Sequence, residues 1–255
     1  MRHLWVILDS LKKNPDLFWF LDYDGTLTPI VSEPEKAVLD SETRELLGAL
    51  ARKFKVAVIS GRRLQELKKL VSLGKIYYAG NHGLEISGPG GSFVLPQVAR
   101  VRPTVSRICR ELQNGLEGIA GTIVENKGLT ASLHYRNVAP GEVARVKKIF
   151  DSIVRPYVDS GSVRITKGSR VWEIRPNYDW DKGKAVNWIL KNSDPKGKLL
   201  PIYLGDDRTD EDAFVALRGR GITVLVTKNR RRTNAEFYLR GVEEVKILLR
   251  NFASV

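Results

Sequence analysis

The chain has 255 residues, of which 42% are hydrophobic and 28% charged, and its 42 Lys and Arg outweigh 29 Asp and Glu to give a net charge of +13. This is an ordinary globular composition, long enough for one large domain or two modest ones. It excludes a spanning helix, since no apolar run approaches the ~20 residues a bilayer requires, and an internal disulfide, since Cys109 is the sole cysteine.

The apolar run over residues 4–8 is too short for a signal-peptide core and Asp9 closes it, which points to a cytoplasmic protein. Residues 18–21, Phe-Trp-Phe-Leu, form a continuous apolar run that suits a strand buried on both faces of a parallel sheet. The run stops at Asp22, and Gly25 marks a turn. Residues 41–53 carry apolar side chains at helical spacing, with Ser41 as the cap and glutamates in the first turn. Residues 55–59 read as a second buried strand ending in Ser60-Gly61-Arg62, with a helix over 64–71. Residues 76–79 read as a third strand, ending in Gly80-Asn81-His82-Gly83. Strands alternating with helices predict an α/β fold with a doubly wound, mostly parallel sheet.

The pattern changes at Gly88-Pro-Gly-Gly91. A helix over 105–116, a hairpin over 122–136, a helix over 141–158 and a hairpin over 163–175 follow, with Lys127-Gly128 and Lys167-Gly168 as the turns. Helix and hairpin repeated twice predict an antiparallel sheet with helices on one face, a separate α+β unit. Cys109 reads as a small packed residue on the first of these helices. After Pro176 the first pattern resumes: helix over 181–191, strand over 199–204, helix over 210–217, strand over 222–226 and helix over 242–249. The division is therefore a core at 1–87 and 176–255, with an inserted unit at 88–175.

Four pieces of the core fall at strand ends or helix starts. Asp22 and Asp24 are two apart, so in extended chain they share a side. Unpaired they would repel, and a hard divalent cation with oxygen ligands relieves this. Ligands of open α/β sheets bind beyond the carboxyl ends of the strands. Ser60 and Gly61 offer a hydroxyl and backbone N–H groups to phosphate oxygens at a helix start. Lys182 opens a helix, where it serves as a fixed cation against a phosphoryl group or a nucleophilic carboxylate. Residues 206–212 hold five acids, and we assign Asp206 and Asp207 to a metal, Thr209 and Asp210 to capping the next helix, and Asp212 to solvent. Taken singly, each piece also reads as a polar turn or a surface lysine. The densest basic run, Lys228-Asn-Arg-Arg-Arg232, has no interleaved aromatics for base stacking and reads as a solvated loop.

The string Leu21-Asp-Tyr-Asp-Gly-Thr-Leu-Thr28, followed in order by Ser60, Lys182 and Gly205-Asp-Asp207, resembles the haloacid dehalogenase-like (HAD) phosphatases. Gly80-Asn-His-Gly-Leu-Glu85, Ser132-Leu-His-Tyr-Arg136, Trp172-Glu-Ile-Arg-Pro176 and Gly205-Asp-Asp-Arg-Thr-Asp-Glu-Asp212 narrow the resemblance to the trehalose-6-phosphate phosphatase family. The resemblance implies a HAD-like core with an inserted α+β cap domain. It also implies magnesium-dependent hydrolysis of trehalose 6-phosphate in trehalose biosynthesis through an aspartyl-phosphate. Asp22 is then the nucleophile, Asp24 the general acid and base, and Mg²⁺ is held by Asp22, the backbone carbonyl of Asp24 and Asp206. Ser60, Gly61 and Lys182 hold the phosphoryl group. Arg62, Asn81 and His82 at the core rim, and Glu125, Lys127, His134, Arg136 and Glu173 on the hairpins, are the candidates for substrate binding. The partner implied is a small sugar phosphate, with no nucleic acid or membrane and a monomer favoured. The competing readings are another HAD phosphatase, acting on mannosylphosphoglycerate or sucrose phosphate, a phosphomutase, and a non-catalytic sugar-phosphate-binding regulator.

Overall fold

A computed structural model describes residues 1–31, 33, 36–168, 170–229 and 231–253. The chain divides into two compact units, Met1–Phe93 with Trp180–Val255, and Val94–Asp179. The first segment supplies strands β1 (Arg2–His3), β2 (Leu17–Asp22), β3 (Lys55–Ile59), β4 (Tyr77–Gly80), β5 (Glu85–Gly88) and β6 (Gly91–Val94), and helices α1 (Leu8–Lys12), α2 (Ser41–Lys53) and α3 (Leu64–Val71). The middle segment supplies α4 (Pro96–Ala99), α5 (Arg102–Gly115), β7 (Ile123–Asn126), β8 (Ala131–His134), α6 (Val143–Asp159), β9 (Val163–Gly168) and β10 (Val171–Pro176). The last supplies α7 (Lys182–Ser193), β11 (Leu200–Gly205), α8 (Glu211–Leu217), β12 (Ile222–Val226), β13 (Phe237–Leu239) and α9 (Val242–Ala253).

In the first unit the strands form a nine-stranded sheet ordered β1-β13-β12-β11-β2-β3-β4-β5-β6. Pairing is parallel from β1 across to β4 and antiparallel between β4 and β5. Both faces are covered, which explains the unbroken apolar run of β2. Leu17, Trp19 and Leu21 face one core with residues of α2, α3 and α9, while Phe18 and Phe20 face the other with residues of α7 and α8. Central neighbours β11, β2 and β3 run in the same direction, so their carboxyl ends lie side by side.

Several details differ from the sequence reading. Asp40, not Ser41, caps α2, accepting a 2.9 Å bond from the Thr43 N–H. The segment around Gly88-Pro-Gly-Gly91, where the sequence pattern changes, is the turn of β5 and β6, which extend the edge of the core sheet. The units therefore divide at 93/94 and 179/180, rather than after 87 and before 176. On the far side Asn177 N–H bonds to Ser162 O, which keeps that residue with the inserted unit.

The second unit is a four-stranded antiparallel sheet, ordered β7-β8-β10-β9. Leu133, Ala131, Trp172 and Ile174 face α5 and α6 in one core, which also buries Cys109. The first hairpin turns at Gly128, with φ +82°, while Gly168 pairs with Val171 as the end of β9, so it is not the turn expected at Lys167-Gly168. Among the described residues, no helix is long and apolar enough to cross a membrane.

Candidate active site

The carboxyl ends of β11, β2 and β3 lie side by side, and an acidic cluster of the first unit forms there. Asp22 ends β2 and is 4% exposed. The chain then turns sharply: Leu27 N–H bonds to Tyr23 O and Gly25 N–H to Thr28 O. Gly25 has φ +87°, and a Cβ there would lie 2.1 Å from Asp206 Oδ2, so only glycine lets the Asp206 carboxylate come so close. Lys182, the first residue of α7, is 2% exposed and donates from Nζ to Asp22 Oδ1 and to Asp210 Oδ1, each at 2.7 Å. Asp210 is wholly buried; its Oδ1 also accepts the Tyr203 hydroxyl at 2.7 Å, and its Oδ2 accepts the Asp207 N–H at 2.9 Å. Asp22, Asp206 and Asp210 bring carboxylate oxygens within 4.8 Å of one another.

This set differs from the expected one at Asp207 and at the Asp24 side chain. Asp207 is exposed, and its side chain caps the short turn Arg208–Asp210 in a reciprocal box with Asp210. The member of the buried cluster is Asp210, which is also the other half of that box. The spacing Asp207-x-x-Asp210 was the available signal, because a capping box returns its third residue toward the strand end. Asp24 also turns its carboxylate elsewhere: Oδ2 and Oδ1 accept from Arg62 Nε and Nη2, both at 2.8 Å.

Arg62 is buried, lies over the Tyr23 ring with its Cζ 5.3 Å from the centroid, and pairs with Glu66 as well. Its own N–H donates to Ser60 Oγ at 3.1 Å, which fixes the serine rotamer. The 60–62 loop is braced from β4 onward: Ser60 O accepts His82 N–H and Arg62 O accepts Asn81 N–H. Asn81 and His82 hold φ of 50° and 57°, a strained region for residues with a side chain. Both are buried; Asn81 Nδ2 donates to Glu85 Oε2, and the His82 ring sits where a Cβ on Gly61 would come within 2.7 Å of its Cε1. The structure thus places these two behind the serine loop.

The second unit groups most of the hairpin residues singled out above. On the sheet face opposite its core, His134 Nε2 lies 3.0 Å from Glu125 Oε2, and Lys127 Nζ 3.5 Å from the same oxygen. Glu173 is one strand over, accepting from Thr166 Oγ1 at 3.3 Å. Arg136 lies just past the end of β8. Arg164 and Arg175, which sequence reasoning did not single out, pair across β9 and β10 in the next step of the ladder.

The cluster tests its own need for a cation. Burial and the neighbouring Asp210 and Asp207 push the Asp206 carboxyl up to about 8, and burial raises the Asp22 carboxyl well above its usual range. One ammonium faces three carboxylates, so a second positive charge fits here. The donor set, Asp22 and Asp206 oxygens, suits a hard divalent ion. Asp210 already accepts three hydrogen bonds and serves Lys182. A sign follows for pH. A carboxyl whose folded pKa is raised holds its proton after the unfolded chain has lost it, so the metal-free protein loses stability as pH rises from about 4 to about 8. Mg²⁺ is therefore expected to raise the melting temperature, relative to EDTA, more at pH 8 than at pH 6. Equal increments at both would show that Asp206 is not titrating against the ion.

The fold is shared with a haloacid dehalogenase-like hydrolase from Bacteroides thetaiotaomicron, which superposes with a TM-score of 0.62 at 15% identity, covering 94% of this chain and 99% of that one. The C-terminal domain of Candida albicans trehalose-6-phosphate phosphatase superposes with a TM-score of 0.83 at 23% identity, over 99% of this chain and 98% of that one. The family model for trehalose-phosphatase matches residues 20–243. Probable trehalose-phosphate phosphatase 3 of Oryza sativa subsp. japonica is 38% identical over 265 residues, covering 96% of this chain and 72% of its own length. The chain belongs to the trehalose-phosphatase family, whose members are phosphoric monoester hydrolases.

Proposed function

We propose that this protein hydrolyses trehalose 6-phosphate to trehalose and phosphate, with Asp22 as the nucleophile. The observation that carries the reading is Lys182 Nζ, buried and shared at 2.7 Å between Asp22 and Asp210, beside Asp206 in a chain of this family. In the first half an Asp22 carboxylate oxygen attacks phosphorus, the bond from phosphorus to the sugar oxygen breaks, and that oxygen takes a proton from the Asp24 carboxyl. In the second half water attacks the same phosphorus, Asp24 takes the water's proton, and phosphate leaves to restore Asp22. The Arg62 guanidinium donates to both Asp24 oxygens at 2.8 Å, so Asp24 turns off it to reach the sugar oxygen and the attacking water. The Ser60 hydroxyl and Lys182 hold phosphoryl oxygens.

Asp22 and Asp206 carboxylates and the backbone carbonyl of Asp24 would hold Mg²⁺, which when bound offsets the repulsion between nucleophile and phosphate. The first unit is the catalytic core and the second the cap domain that selects the leaving group. Glu125, Lys127, His134 and Glu173 are the sugar-hydroxyl partners, favoured by their shared polar face. The same reading takes the enzyme as a cytoplasmic monomer acting on a small molecule.

The experiment is phosphate release from trehalose 6-phosphate, glucose 6-phosphate, sucrose 6-phosphate and mannosylphosphoglycerate, each with Mg²⁺ and with EDTA. Trehalose 6-phosphate is expected to turn over far better than the rest, and only with metal. Metal-dependent release from a different ester would overturn the substrate, and no release from any would overturn hydrolysis.

A further inference from the structure

The basic run Lys228-Asn-Arg-Arg-Arg232 lies in the loop between β12 and β13, and one of its arginines turns inward. Arg231 Nη2 donates to the backbone carbonyls of both Asp206 and Asp207, each at 3.1 Å. Its guanidinium lies 3.6 Å from Glu211 Oε1, at the start of α8. Glu211 anchors the loop a second time, its Oε2 accepting from Asn234 N–H at 2.7 Å and Asn234 Nδ2 at 3.1 Å. The loop base is closed by Thr227 N–H to Leu239 O at 2.7 Å. Arg232 and Lys228, by contrast, are exposed.

These contacts fall on a turn that has left the sheet ladder. Gly205 is the last residue of β11 paired to β12, so the carbonyls of Asp206 and Asp207 have no strand partner there. A cationic donor that binds two successive carbonyls fixes the orientation of both peptide planes, and charged donors make the stronger bonds. Fixing the plane after Asp206 restrains its backbone, and so the direction in which its Cβ leaves the chain, toward the place where the carboxylate lies against Gly25 and beside Asp22.

We propose that Arg231 is a positioning residue for Asp206, and through it for the divalent ion that Asp22 and Asp206 hold. The inference rests on the metal reading given above. It also gives Arg231 a role as a strut of the site, while Lys228 and Arg232 remain exposed, as the solvated loop read from sequence expects.

The test is isothermal titration of the full-length protein with Mg²⁺ alone, for the wild type and for Arg231→Ala and Arg232→Ala. Groups that orient metal ligands are worth roughly 10–100-fold in affinity. Arg231→Ala is expected to weaken Mg²⁺ binding about tenfold, with kcat recovering at saturating Mg²⁺, while Arg232→Ala stays within about twofold of wild type. Should Arg231→Ala not fold, Arg231→Gln, which keeps a neutral donor, is expected to shift affinity in the same direction. If Arg231 and Arg232 variants weaken binding equally, the effect is one of net charge and the strut is refuted. If the wild type binds Mg²⁺ and Arg231→Ala binds it equally well, Arg231 alone loses its role. If the wild type binds none, the metal reading falls and takes this inference with it.

Discussion

Asp22→Asn is expected to lower turnover of the sugar phosphate by on the order of 10³-fold or more while leaving the fold intact. The amide is close to isosteric with the carboxylate and its oxygen can still accept the Lys182 ammonium, now 2.7 Å from Oδ1. What it lacks is a nucleophilic oxygen bearing charge. Stability should be unchanged or slightly higher without metal. The Asp22 carboxyl is pushed up chiefly by burial, so removing a buried acid relieves the cluster, and the Lys182–Asp210 pair survives. Two measurements on one preparation decide this: steady-state phosphate release and a thermal melt in EDTA. A variant that melts normally and still cleaves at the wild-type rate would remove Asp22 from the chemistry. One that fails to fold would mean that its charge, and not its reactivity, is what the site needs.

The parts of this site that could be read from the sequence are those set by burial and local periodicity. β2 has no polar residue before Asp22 because Trp19 and Leu21 meet one layer of helices and Phe18 and Phe20 the other. An uninterrupted apolar run that stops at an acid therefore marks a strand end in a parallel sheet, and Asp22, Ser60 and Asp206 were placed by that rule. Residues whose role depends on contacts between distant segments left little trace. Asp210 enters the cluster because a three-residue turn sends it back under Gly205, where a Cβ would sit 2.3 Å from its carboxyl carbon. Tyr203 looks like one more apolar strand residue until its hydroxyl is found on Asp210. Arg231 reaches its two carbonyl partners across 25 and 24 positions of chain. β1 and β13 are two and three residues long, too short for alternation to register. The hairpin of β5 and β6 was hidden because Gly88-Pro-Gly-Gly91, a sequence fit for a linker, is equally fit for a tight turn.

Lys182→Met carries the second large effect, and on stability as well as rate. The wild-type ammonium is shared by two buried carboxylates, with side chains 6% and 0% exposed. Removing one partner of a buried ion pair leaves uncompensated charge, which typically costs about 3–5 kcal/mol. The protein has one relief, which is to protonate Asp22. Burial raises the Asp22 carboxyl and Lys182 is the charge that holds it down, so with the ammonium gone its folded pKa rises further above the unfolded value near 3.9, the folded state binds more protons and its stability falls as pH rises. The penalty of Lys182→Met should therefore be larger at pH 8 than at pH 5. Asp210→Asn added to Lys182→Met should recover part of the stability, because the amide can still accept from Tyr203 and no longer carries charge. It should recover none of the activity, since the cation that faces the phosphoryl group is still missing. Urea denaturation of the two single variants, the double variant and the wild type at both pH values closes a double-mutant cycle. A loss below about 1 kcal/mol in Lys182→Met, or effects of the two substitutions that simply add, would mean that the lysine and Asp210 are not energetically coupled.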